Sequence, residues 1–73
     1  MTLYDLKNGE KAFIISFNNI KIKNRLEKLG FFSGVEVVAV RKALFNGAIQ
    51  INFRNYSLAL RREIAEKIIV KVW

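Results

Sequence analysis

Cysteine, histidine and proline are all absent from this chain. Without cysteine there is no disulfide framework, no zinc-thiolate site and no thiol nucleophile. Without histidine the commonest general base and the commonest transition-metal ligand are missing, and Ser/His/Asp chemistry is excluded. Without proline, glycine, asparagine and serine must make the turns. Long apolar runs are missing too. A bilayer span needs roughly 20 apolar residues, and Lys, Arg, Asp, Glu or Asn interrupts every segment. The start does not read as a secretory leader: Asp5 comes early, no basic stretch precedes it, and no small-residue cleavage site follows an apolar run. A cytoplasmic location without membrane insertion is the expectation.

What is present is a short, apolar and strongly basic chain. Its 73 residues are 52% hydrophobic, with 13 Lys and Arg against 6 Asp and Glu, a net charge of +7. That composition is globular, and the length predicts a single domain over residues 1–73. A domain this small buries only about 60% of its unfolded surface, so it needs a dense core.

The turn signals Asn8-Gly9, Asn18-Asn19, Gly30, Ser33-Gly34, Asn46-Gly47 and Asn55 cut the chain into short segments. Thr2-x-x-Asp5 resembles a capping box and predicts one helical turn, with Leu3 and Leu6 facing inward. Ala12–Phe17 reads as a strand carrying Phe13, Ile15 and Phe17 on one face and Ala12, Ile14 and Ser16 on the other. Ile20–Leu29 reads as a helix, capped by Asn18 or Asn19 and ended by Gly30. Ile22, Leu26 and Leu29 form its apolar stripe, and Lys21, Arg25 and Lys28 a basic stripe beside it. Val35–Leu44 is a long strand whose alternation breaks at Val37-Val38, as a bending or bulging strand would. Asn46-Gly47 signals a hairpin. Ala48–Arg54 alternates cleanly, with Ile49, Ile51 and Phe53 inward. Tyr56–Leu60 pairs next, Arg61–Lys67 holds one or two helical turns, and Ile68–Val72 is the last strand. The fold predicted is mainly β: a small, strongly bent barrel of about five strands with one inserted helix and a short C-terminal helical turn.

Three stretches carry a family resemblance. Leu6–Ala12 (LKNGEKA) precedes the first strand, Arg25–Gly34 (RLEKLGFFSG) joins the helix to the second, and Leu58–Arg61 (LALR) leads into the last helical turn. This ordered set resembles the FeoA family, the small cytoplasmic component of bacterial ferrous iron uptake, and covers essentially the whole chain. The family pattern usually has proline where Asn8, Ser33 and Leu44 stand here, all in turns. The resemblance implies an SH3-like barrel. It also implies a family-level link to transition metal ions and an accessory role for FeoB, the membrane transporter that carries a cytoplasmic G-protein domain.

The residues themselves offer few sites. Gly9, Gly30 and Gly34 suit positive φ, and Leu26, Leu29 and Leu60 suit the core. Arg25 and Arg61 either brace the barrel or meet a partner. For a divalent cation only Asp5, Glu10, Glu27, Glu36, Glu63 and Glu66 remain. Glu63 and Glu66, among Arg61, Arg62 and Lys67, read as solvated surface, so no metal site and no other cofactor is expected. No catalytic residue is assigned, because no nucleophile and base stand out. Phe45 beside the hairpin turn and the terminal Trp73 either anchor a partner or fold back over the barrel mouth and bottom.

The leading expectation is a non-enzymatic adaptor that binds a FeoB-type transporter through Lys21, Arg25, Lys28 and Phe45. The alternative is a small barrel that binds nucleic acid, motivated by the pI of about 10.2. An SH3-like domain of the kind appended to metal-dependent repressors is close to the first in fold. Strand edges leave weak self-association open.

Overall fold

The structure is a computed structural model that describes residues 1–18, 21, 23–45 and 47–72. The chain starts with a 3-10 turn, Leu3–Asp5, and continues through β1 (Lys11–Phe17), α1 (Lys23–Lys28), β2 (Glu36–Lys42), β3 (Ile49–Phe53), β4 (Tyr56–Leu60), α2 (Arg62–Ala65) and β5 (Ile68–Val72). The five strands form one antiparallel sheet in the order β4-β3-β2-β1-β5, so the mainly β architecture expected from the sequence is present. β4 and β5 are its two ends. The outer edge of β5 is covered by the chain's own start: Thr2 bridges Ile69, and the Val70 N–H donates to the Met1 carbonyl at 2.9 Å. Among the described residues β4 has no such cover.

Alternation builds the core. Ile49, Ile51 and Phe53 of β3 are buried, as are Val35 just before β2, Val37 and Ala39 within it, and Ile68 and Val70 on β5. Leu3 and Leu6 close the core from the 3-10 turn, as their spacing predicts, and Leu26 and Ala65 reach it from the two helices. No polar side chain is buried among the described residues.

Two bulges interrupt the register and correct the sequence reading. In β1 the register against β5 shifts between Ile14 and Ser16. The alternation therefore inverts at Ile15: Ala12 and Ile14 are buried before it, Phe17 packs on the core after it, and Ile15 itself stands 48% exposed. The face expected to hold Phe13, Ile15 and Phe17 together does not exist as one face, because an inserted residue flips the period of two. In β2 the shift falls between Ala39 and Arg41, beyond the Val37-Val38 break where the sequence placed the irregularity.

Of the predicted helix Ile20–Leu29, α1 covers Lys23–Lys28; Asn19, Ile20 and Ile22 lie outside the described residues. The helix ends as Gly30 foretold. Gly30 takes φ +94°, its N–H donates to Glu27 at 3.0 Å, and the Phe31 N–H reaches back to Leu26 at 3.0 Å. This Schellman arrangement satisfies the last carbonyls and turns Phe31 into the core. Leu29, expected inside, is 38% exposed, because the tight turn ends the helix before it completes the stripe.

Candidate docking surfaces

The residues proposed from the sequence to meet a partner fall at opposite ends of the β3 strand. Lys21, Arg25 and Lys28 are exposed on and before α1. The turn that ends α1 lies against the β3–β4 turn: a Cβ added to Gly30 would stand 3.3 Å from Nη1 of Arg54. The Arg54 guanidinium also lies 5.3 Å from the centroid of the Phe32 ring, a cation–π contact. Below this end an aromatic run leads inward. The Tyr56 ring stacks on Phe53 at 5.6 Å, and Phe53 meets Phe31 edge-on at 4.9 Å. Arg54, Phe32 and Glu36 border a concavity of about 520 Å³ between the connector and the hairpin. The sequence singled out neither Phe31 nor Phe32. An apolar residue just past a predicted helix-ending glycine is the signal that would have found Phe31.

Phe45 sits at the far end, on the β2–β3 turn. About 13 Å of strand separates the two ends, at ~3.3 Å per residue. Phe45 is 97% and Leu44 83% exposed, so Phe45 does not fold back over the barrel mouth. Asn46 and Trp73 lie outside the described residues. The turn is joined to the N-terminal segment, where the Tyr4 hydroxyl donates to the Gly47 carbonyl at 2.9 Å. Lys42 Nζ and Arg62 Cζ lie 4.7 and 5.8 Å from the Tyr4 ring centroid. These basic contacts were invisible in the sequence, since 43 residues separate Tyr4 from Gly47.

Several of the remaining polar groups are engaged locally. Both the Thr2 N–H, at 2.9 Å, and the Thr2 hydroxyl, at 3.1 Å, donate to Asp5 Oδ2. The backbone N–H is the largest influence holding the Asp5 carboxyl below its usual range; slight burial opposes it, and the Thr2 hydroxyl, the N-terminal charge and Lys42 add to the lowering. Glu10 accepts from the Lys7 N–H at 2.9 Å, and Glu66 pairs with Arg62 at 3.3 Å. Among the described residues no three acidic side chains gather where they could hold a metal ion, and the side chains of Arg25 and Arg61 brace nothing: neither makes a hydrogen bond or ion pair. The Ser33 hydroxyl donates to the Ile15 carbonyl and the Ser57 hydroxyl accepts from Gln50.

Comparison with known proteins places these surfaces on a recognised scaffold. A protein of Campylobacter jejuni assigned as an Fe(2+) transport protein A is 34% identical over 73 residues, covering 99% of both chains. The solution structure of FeoA from Chlorobium tepidum superposes with a TM-score of 0.91 at 32% identity, over 99% of this chain and 70% of that one. FeoA of Stenotrophomonas maltophilia, solved with zinc and described as a prokaryotic SH3 domain protein, gives 0.83 at 30% identity, over 97% and 89%. The FeoA domain model itself matches residues 1–72, and this chain belongs to the FeoA family.

Proposed function

We propose that this protein is a non-enzymatic accessory of ferrous iron uptake that works in the cytoplasm by binding the cytoplasmic part of a FeoB-type membrane transporter. The observation that carries the reading is the match along nearly the whole length to an Fe(2+) transport protein A. The chemistry of the chain is consistent with it. No histidine or cysteine is present, and the Tyr4 and Ser33 hydroxyls are engaged with backbone carbonyls, so no nucleophile stands beside a base. Ferrous iron is then the cargo of the partner. The net charge of +7 speeds encounter with an acidic surface and makes binding salt-sensitive. Lys21, Arg25 and Lys28 stand toward one end of β3 and Arg41 and Lys42 at the other, rather than along one groove, which favours a protein partner over nucleic acid.

The test is retention of the chain on an immobilised transporter, both as the full protein and as its soluble domain. Binding at low salt, weakened by salt and by the triple substitution Lys21→Gln, Arg25→Gln, Lys28→Gln, is the expected result. Failure of both forms to retain the chain at low salt sinks the adaptor reading. Titration with short RNA and DNA at two salt concentrations checks the nucleic-acid alternative.

A further inference from the structure

The β2–β3 turn holds two apolar side chains out in water. Leu44 and Phe45 are consecutive and are the most exposed large apolar residues described. Phe45 keeps φ at +59°, a conformation that disfavours a bulky L-residue and that glycine or asparagine takes readily. The base of the turn is hydrogen-bonded on both sides, by the Ala43 N–H to the Ala48 carbonyl at 2.8 Å and by the Tyr4 hydroxyl to Gly47. The two side chains therefore project from a fixed support.

Cations surround that support. Arg41 and Lys42 are exposed at the end of β2, and Arg61 and Arg62 are exposed where α2 begins; Lys42 and Arg62 converge on the Tyr4 ring. The carboxylates of the same region, Asp5 and Glu66, are engaged by Thr2 and Arg62, with Glu63 exposed on α2. Beside the tip lies a concavity of about 360 Å³, walled by Arg41, Lys42 and Leu44 over small residues including Ala43, Ala48 and Ala59.

We propose that the Leu44–Phe45 turn is a peripheral membrane anchor. Its two side chains enter the boundary between headgroups and acyl chains of an anionic bilayer, while Arg41, Lys42 and Arg61 meet lipid phosphates. The charge complementarity is direct: an apolar point ringed by cations matches a surface that is apolar below and anionic above. A convex tip also suits a fluid surface, which needs no matching pocket. The described residues hold no helix long and apolar enough to cross a membrane, and interfacial contact requires none. The inference stands independently of the transporter reading.

Sedimentation of the intact chain with sucrose-loaded vesicles tests it. Vesicles containing phosphatidylglycerol should bind roughly tenfold or more tightly than pure phosphatidylcholine vesicles, with salt weakening the binding. The double substitution Leu44→Ser, Phe45→Ser leaves the charge unchanged and touches no buried residue, and should lower phosphatidylglycerol binding about tenfold. Arg41→Gln with Lys42→Gln should lower it as well. Wild-type chain that ignores phosphatidylglycerol vesicles at low salt overturns the proposal. So does a serine double variant that binds them as well as wild type, because adsorption is then charge alone. Loss of transporter retention by that double variant, with no vesicle binding by wild type, makes the tip a protein contact and equally overturns the membrane assignment.

Discussion

The Tyr4 hydroxyl donates a 2.9 Å hydrogen bond to the Gly47 carbonyl, tying the N-terminal 3-10 turn to the β2–β3 hairpin. Without it, the half-buried Gly47 carbonyl loses its side-chain partner. Tyr4→Phe keeps the ring and should cost about 1 kcal/mol, a fall of roughly 4–8 °C in Tm for a domain of this size. Thermal unfolding followed by circular dichroism measures this. Exchange of the Ala43 amide should quicken, and an unchanged melting curve would show that the bond is idle.

Asp5 supplies a pH dependence. Its folded pKa is held below the usual carboxylate range, chiefly by the Thr2 backbone N–H. The folded form therefore binds its proton less readily than the unfolded chain. The stabilisation is fully present above the unfolded pKa and is lost as pH falls through the folded value. Asp5→Asn should cost roughly 0.5 kcal/mol at neutral pH, little because the carboxylate is solvent-exposed. Urea titrations should show the gap between wild type and variant closing in acid. A gap that stays constant with pH would remove the charge from the explanation.

Gly30 and Gly9 separate two costs of a methyl group. Both hold positive φ, but a Cβ at Gly9 meets nothing within 4 Å, whereas one at Gly30 lies 3.3 Å from Arg54. Gly9→Ala should cost about 1 kcal/mol from the backbone alone, and Gly30→Ala little more, because the exposed Arg54 side chain can shift by the few tenths of an ångström that a Cβ needs. Their urea midpoints, at unchanged m, give the order.

Asn8 is the second residue of a turn closed by the Glu10 N–H to the Lys7 carbonyl at 2.9 Å, with Gly9 at φ +83° behind it. That position favours proline. Asn8→Pro should stabilise by about 0.4–1 kcal/mol, by narrowing the unfolded ensemble. Ser33 occupies the same place before Gly34, where the Val35 N–H reaches the Phe32 carbonyl, but its hydroxyl bonds the Ile15 carbonyl at 2.8 Å. Ser33→Pro should therefore gain less than Asn8→Pro in a paired calorimetric comparison.

These turns show what the sequence could reveal. β3 was legible because Ile49, Ile51 and Phe53 alternate without interruption and all three are buried. The Gly30 helix end was legible because few residues other than glycine hold that conformation. The core face of β1 was not, because the bulge at Ile15 leaves the residue pattern apolar on both sides. Leu29 misled because a helical stripe extrapolates past the point where the helix stops. The Tyr4 support of the hairpin tip has no local signature, since only folding brings it to Gly47. Exposure of Phe45 was one of two open readings, and periodicity has no means of choosing between them at a turn.

The unequal treatment of the two sheet borders limits how this molecule can self-associate. Met1 and Thr2 cover the middle of the β5 border, so strand addition favours the β4 side among the described residues. Two copies joined there, antiparallel about a twofold axis, consume both templates and leave no place for a third. Growth by this route ends at a dimer instead of running on into a fibril.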